Sequence, residues 1–125
     1  MEKIKIEPTN KTPRIELDPE AGLLKIEGRS IPENSFEFYK PVMAWLDEYA
    51  KSPNASTLCT FKFEYFNTSS SKCILDIFRK LEQIHQNGSS VVISWYYDED
   101  DEDMQETGED YKSIIKVPFK VIPNS

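Results

Sequence analysis

A mixed β-sheet with helices packed mainly on one face is the α/β fold class predicted by this 125-residue sequence. Strict apolar–polar alternation recurs along the chain, so each strand has one dry and one charged face. Between the later strands lie segments with apolar residues at helical spacing, each carrying a single apolar stripe. One-faced strands linked by one-striped helices bury their apolar sides only by layering against each other.

In segment 3–7, Ile4 and Ile6 oppose Lys3, Lys5 and Glu7, and in 13–18, Ile15 and Leu17 oppose Arg14, Glu16 and Asp18. Both read as strands. Asp18-Pro19-Glu20-Ala21-Gly22 has turn chemistry, and Leu24 and Ile26 resume the alternation, so 13–28 reads as a hairpin. Asn34 with Glu37 resembles a capping box, followed by Phe38, Val42, Trp45, Leu46 and Tyr49 at helical spacing, which predicts a helix over 34–51 with Pro41 as a site of bending. Residues 57–66 alternate, with Cys59, Phe61, Phe63 and Tyr65 on one face, and Phe66 breaks the pattern. A second helix is expected over 69–87, striped by Ile74, Ile77, Phe78, Leu81, Ile84 and His85, with an Asp76–Lys80 pair opposite and Asn87-Gly88 as its stop. A strand over 91–97, an acidic loop from Asp98, a weak helix near 102–113 and a last strand with Ile115, Val117, Phe119 and Val121 complete the chain; Pro118 marks that strand as an edge.

The length suits one domain over 1–125. The 38% hydrophobic residues, with seven Phe, six Tyr and two Trp, can fill a two-layer core. A net charge of −7 repels a phosphate backbone, so neither nucleic acid nor an anionic membrane is an expected partner. The alternating start and the short apolar run Val91–Tyr97 lack the form of a signal or spanning segment, which points to the cytoplasm.

The strand ending at Phe66 delivers Asn67-Thr68-Ser69-Ser70-Ser71 to a helix N-terminus, where unpaired N–H groups and the positive end of the macrodipole favour an anion. Two readings follow: a plain N-cap run, because Asn, Ser and Thr are the preferred caps, or an exposed hydroxyl that a kinase can modify. Elsewhere the chemistry is sparse. Cys59 and Cys73 lack metal-ligand spacing and read as reduced, buried thiols; Asp98–Asp103 lacks the turn glycine and terminal glutamate of a calcium loop and reads as solvated. His85, the sole histidine, has no partner base or thiolate and reads as a boundary residue near a helix end. Trp95, Tyr96 and Tyr97 read as core and rim of a sheet. No cofactor and no catalytic residue is expected, and the chain does not read as an enzyme.

Glu64 to Ser71 followed by Leu75-Asp76-Ile77-Phe78 resembles the signature of the SiaC family of bacterial regulatory phosphoproteins. Pro32-Glu33-Asn34-Ser35, His85-Gln86-Asn87-Gly88 and Trp95-Tyr96-Tyr97-Asp98 resemble it in order and spacing. The resemblance implies a fold similar to STAS-domain anti-sigma-factor antagonists and a switch threonine at Thr68, with Ser69 and Ser70 as alternates. It further implies a GHKL-fold serine/threonine kinase, a PPM-type phosphatase and a diguanylate cyclase of GGDEF type that the unphosphorylated form binds and activates, so that the output is cyclic-di-GMP. Asn67, Thr68, Ser69, Ser70 and Lys72 are the residues expected to meet partners. The rival readings are an antagonist sequestering an anti-sigma kinase, a metal-dependent hydrolase using the acidic loop, and a small-molecule sensor.

Overall fold

The computed structural model describes residues 1–124, in the order β1 (Ile4–Ile6), β2 (Arg14–Asp18), β3 (Leu23–Ser30), α1 (Ser35–Tyr49), β4 (Ser56–Phe66), α2 (Thr68–Gln86), β5 (Ser90–Asp98), α3 (Glu102–Ile114) and β6 (Phe119–Asn124). The six strands form one sheet in sequence order; β1, β2 and β3 pair antiparallel and β3, β4, β5 and β6 pair parallel. Three successive crossovers that step the same way across a sheet, each right-handed, must place their helices on one face. α1, α2 and α3 accordingly share a single core with the apolar sides of the strands, where Ile15, Leu24, Ile26, Phe61, Ile93 and Trp95 meet Leu46, Ile74, Ile77, Phe78 and Leu81. The other face keeps the charged half of the alternation, and there Lys5–Glu16 and Lys25–Glu27 pair across 3.9 and 3.3 Å.

Three expectations are corrected. Tyr65 does not share the core face of Phe61 and Phe63: the register of β4 against β3 slips between Gly28 and Arg29, pairing Gly28 with Phe63 and Arg29 with Tyr65, so Glu64 is the extra residue of a β-bulge. Beyond it the sides exchange, leaving Tyr65 exposed while Phe66 packs edge-on to Phe63 and Trp95. The last strand begins at Phe119, later than expected; Ile115 and Val117 are buried in the connection after α3, and the Pro118 carbonyl accepts from the Ile93 N–H at 2.9 Å. β6 is still a sheet edge, with Pro123 as its internal proline. Lys80 reaches across to Asp47 of α1 at 2.6 Å instead of pairing with Asp76. His85 borders the stripe as expected, half-buried in the last turn of α2, and its Nδ1 accepts the Val91 N–H at 3.2 Å, which ties the end of α2 to β5.

α1 runs unbroken through Pro41. Pro41 and Glu37, whose carbonyl loses its donor, both lie on the exposed side, where water can serve that carbonyl. Restoring the N–H with Pro41→Ala is expected to raise the unfolding free energy by about 1–3 kcal/mol, since an interior proline costs about 3 kcal/mol relative to alanine. Denaturant titration checks this, and an unchanged midpoint would contradict it.

Glu82 fastens α2 to the connection leading into β6. Oε2 accepts the Lys116 backbone N–H at 2.7 Å and Oε1 accepts from Arg79 Nη1 at 2.9 Å. Burial pushes the carboxyl up, but the Lys116 and Arg79 hydrogen bonds with the two positive charges outweigh it and hold Glu82 below the usual range. A depressed folded value adds stability above the unfolded value of about 4.3, and that stability drains away as pH falls through the folded value. Glu82→Ala should therefore cost about 2–3 kcal/mol at pH 7, as for a buried charged hydrogen-bond partner, and progressively less below about pH 4. Unfolding curves across that range check both sign and window.

No helix among the described residues is long and apolar enough to cross a membrane. Among them, too, no group of three or more His, Cys, Asp or Glu side chains is placed to hold a metal ion.

Candidate functional site

The two helix N-termini that follow β3 and β4 meet beside the edge of the core. Asn34 caps α1, its Oδ1 accepting the Glu37 N–H at 3.2 Å, and Asn67 caps α2, its Oδ1 accepting the Ser70 N–H at 2.9 Å. The Asn67 N–H donates to the Ser30 carbonyl at 3.0 Å, so the cap of α2 is anchored on the end of β3. Ser71 N–H reaches the Asn67 carbonyl at 3.0 Å. The N–H groups of Thr68 and Ser69 are left facing outward, as at any first helical turn.

Thr68 is the first residue of α2 and exposed, and its Oγ1 has no hydrogen-bond partner among the described residues. Its neighbours differ. Ser69 is exposed, but its Oγ lies 2.9 Å from Ser35 Oγ and donates to Asn67 Oδ1 at 3.2 Å. Ser70 is fully buried, its hydroxyl donating to the Ser30 carbonyl at 3.1 Å. Ser71 Oγ donates to the Thr68 carbonyl at 2.6 Å. Among the described residues, the hydroxyl of Thr68 is therefore the one in this run that is unengaged, and it lies at a helix end that stabilises negative charge.

A groove of about 480 Å³ adjoins the corner, lined by Glu33, Asn34, Ser35 and Phe36 of the α1 start and Ser69, Lys72, Cys73, Leu75 and Asp76 of α2. Phe36 is 75% exposed, the most exposed large apolar side chain in the chain's described part. Of the expected contact residues, Ser69 and Lys72 line this groove, Thr68 is exposed and precedes Ser69 without lining it, Asn67 is engaged as a cap, and Ser70 is buried. Phe36 and the second helix start were missed by sequence reasoning; the available signal was an aromatic residue outside the apolar stripe in the first turn of α1. Cys73 is buried in the groove floor, where burial and then Asp76 push its thiol up, and burial pushes Cys59 up as well, so neither is an activated thiolate.

α3 supports the corner from behind. Tyr111 donates from its hydroxyl to the Ser71 carbonyl at 3.2 Å, its own ionisation pushed up to about 12 by burial. Trp95 Nε1 donates to the Met104 carbonyl at 3.1 Å. Trp95 and Tyr97 are buried and Tyr96 half-buried on the open face, as core and rim.

Comparison with known proteins agrees with this geometry. The model of the SiaC family, described as a regulatory phosphoprotein, matches residues 6–124. A protein of Pseudomonas aeruginosa strain UCBPP-PA14 without an assigned function is 34% identical over 121 residues, 97% of this chain and 96% of its own. Among solved structures, the chain is similar to one from the complex of the diguanylate cyclase SiaD with its activator SiaC from P. aeruginosa, at 33% identity and a TM-score of 0.91, covering 97% of this chain and 99% of that one. It is also similar to apo-SiaC of the same organism, at 33% identity and a TM-score of 0.89, covering 98% and 99%. The mixed sheet with one-sided helices matches these structures closely and is consistent with a STAS-like fold. With the family pattern matched over nearly its whole length and the fold shared throughout, this chain belongs to the SiaC family of regulatory phosphoproteins.

Proposed function

We propose that the unphosphorylated protein binds and activates a diguanylate cyclase in the cytoplasm, and that a phosphate on Thr68 blocks this binding. A GHKL-fold serine/threonine kinase adds the phosphate and a PPM-type phosphatase removes it. The observation that carries the reading is the isolation of the Thr68 hydroxyl: it is exposed, unengaged, at the start of α2 and next to a partly apolar groove. Membership of a phosphoprotein family and similarity to a cyclase activator supply the partner class. Phosphorylation adds about −1.5 to −2 charges and a strongly hydrated group. On a chain already at −7, that change opposes docking to an apolar or acidic surface and favours an arginine-bearing enzyme that reads the phosphate.

The burial of Ser70 and the hydrogen bonds of Ser69 to Ser35 and Asn67 support Thr68 over these two alternates. Tandem mass spectrometry on protein from its native cells, beside a Thr68→Ala variant, tests the assignment. Phosphate on Thr68 that vanishes in the variant is the expected result. Absence of phosphate at Thr68 while the kinase is expressed would return the run to a plain helix cap.

A further inference from the structure

Beneath the groove, hydroxyls from β3, α1 and α2 join into one chain through an otherwise apolar core. Tyr39 OH lies 2.6 Å from Ser30 Oγ, Ser30 Oγ 2.8 Å from Ser70 Oγ, Ser70 Oγ 3.1 Å from Ser35 Oγ, and Ser35 Oγ 2.9 Å from Ser69 Oγ. Tyr39, Ser30, Ser35 and Ser70 are buried, and burial pushes the Tyr39 phenol far up, so the chain is neutral. It links the buried side of α1 to the exposed Ser69, the neighbour of Thr68.

Each hydroxyl has one proton to give. With Ser70 donating to the Ser30 carbonyl, its oxygen accepts from Ser30, and the outer members can be set in more than one way. Where Ser35 and Ser69 bond to each other, either Ser69 donates to Ser35 while Ser35 donates to Ser70 or to Asn67 Oδ1 at 3.5 Å, or Ser35 donates to Ser69 while Ser69 donates to Asn67 Oδ1. Ser69 holds the first turn of α1 in each of these settings, and of the five residues whose hydroxyls are linked it alone is exposed. Around Ser35, the residues Asn34, Phe36 and Glu37 are exposed, so the turn is held mainly by the Asn34 cap and by the hydrogen bonds of Ser35 to Ser69, Ser70 and Asn67.

We propose that Ser69 is the exchange point of a relay: when Thr68 carries a phosphate, the Ser69 hydroxyl turns to a phosphate oxygen, leaves Ser35, and loosens the first turn of α1 that presents Phe36. This rests on Thr68 as the modified residue and adds a mechanism to it. The exchange involves hydrogen bonds alone, and its direction follows from strength, because a bond to an ionised acceptor is about twice as strong as one between neutral hydroxyls. Phosphorylation then acts at two places, through the added charge at Thr68 and through the position of Phe36 at the groove. Ser69 and Ser35 are positioning residues in this scheme.

The test uses the full chain with phosphothreonine installed at position 68 during synthesis, so no kinase is required, and follows amide exchange at Phe38, Tyr39 and Lys40. Exchange there is expected to quicken roughly fivefold on phosphorylation, the equilibrium weight of one net hydrogen bond. Ser69→Ala should exchange fast with or without the phosphate, and Ser69→Thr, which keeps the hydroxyl, should restore the phosphate dependence. Identical exchange in phosphorylated and unmodified wild type would overturn the relay, as would a full phosphate response in Ser69→Ala. Cyclase affinity measured on the same samples reports separately on the functional reading: equal affinity of the two forms would sink that reading while leaving the exchange result to stand or fall alone.

Discussion

Thr68→Glu is expected to weaken binding to the cyclase by about 100-fold, the equivalent of roughly 3 kcal/mol, while Thr68→Ala stays within about threefold of wild type. The alanine loses a hydroxyl that has no partner within the described part of the chain, and surface changes of that kind fall within about 0.5 kcal/mol. The glutamate places a charge next to Ser69, which lines the groove, and docking over this corner must then desolvate it or leave it unpaired. Loss of folding does not explain the same outcome, because an acidic side chain in a first helical turn stabilises the helix by about 0.3–1 kcal/mol. Calorimetric titration against the cyclase, with thermal unfolding of both variants alongside, measures the two effects separately. Glutamate and alanine variants of equal affinity would remove charge at this corner from the mechanism.

The second large effect concerns how α3 is held. Trp95 is fully buried among Phe61, Phe63, Phe66, Phe78 and Tyr111, with its Nε1 bonded to the Met104 carbonyl. Trp95→Ala should cost about 3–5 kcal/mol, a large share of a small domain's stability of about 5–15 kcal/mol. Gly108 lies on the same contact: a Cβ there would stand 2.4 Å from Trp95 Cδ1 and 2.7 Å from its Nε1. Gly108→Ala is therefore expected to destabilise by about 1–3 kcal/mol, since the overpacking penalty exceeds the 0.8–1.0 kcal/mol or so that alanine gains in a helix. In a Trp95→Ala background the obstacle is gone and the same substitution should stabilise. Chemical unfolding of the two single variants and the double variant tests that change of sign; a Gly108→Ala cost that persists without Trp95 would contradict it.

The contrast between Gly108 and Thr68 shows what kind of information a sequence carries. Periodicity exposes one-faced strands and striped helices because burial on one side is written into every second or every third to fourth residue, and α1, α2 and α3 form close to where that rule places them. The one-sided packing follows from the same pattern. The bulge at Glu64 left only an indirect trace, the apolar Phe66 out of phase, because an inserted residue shifts every later side chain without changing composition. Gly108 reads as a weak spot in a helix until the Trp95 ring is seen against it.

At the site, Thr68 is singled out by the family resemblance, and its own chemistry is consistent with a cap alone. Its distinction from Ser69 and Ser70 is tertiary: Ser35 and Ser30, 34 and 40 residues away along the chain, occupy those two hydroxyls and leave the third free. Phe36 was obscured for the same reason, since the groove that gives its exposure meaning exists only when two helix starts converge. Lys80 went to Asp47 because α1 lies against α2, which a local pairing rule cannot anticipate.

The most direct test of the proposed switch is the rate of cyclic-di-GMP formation by the purified cyclase, titrated with this protein either unmodified or phosphorylated at Thr68 to full occupancy. Activation by the unmodified form, its absence with the phosphorylated form, and recovery after phosphatase treatment are expected. Equal activation by both forms would contradict phosphorylation of Thr68 as the control of this protein's output.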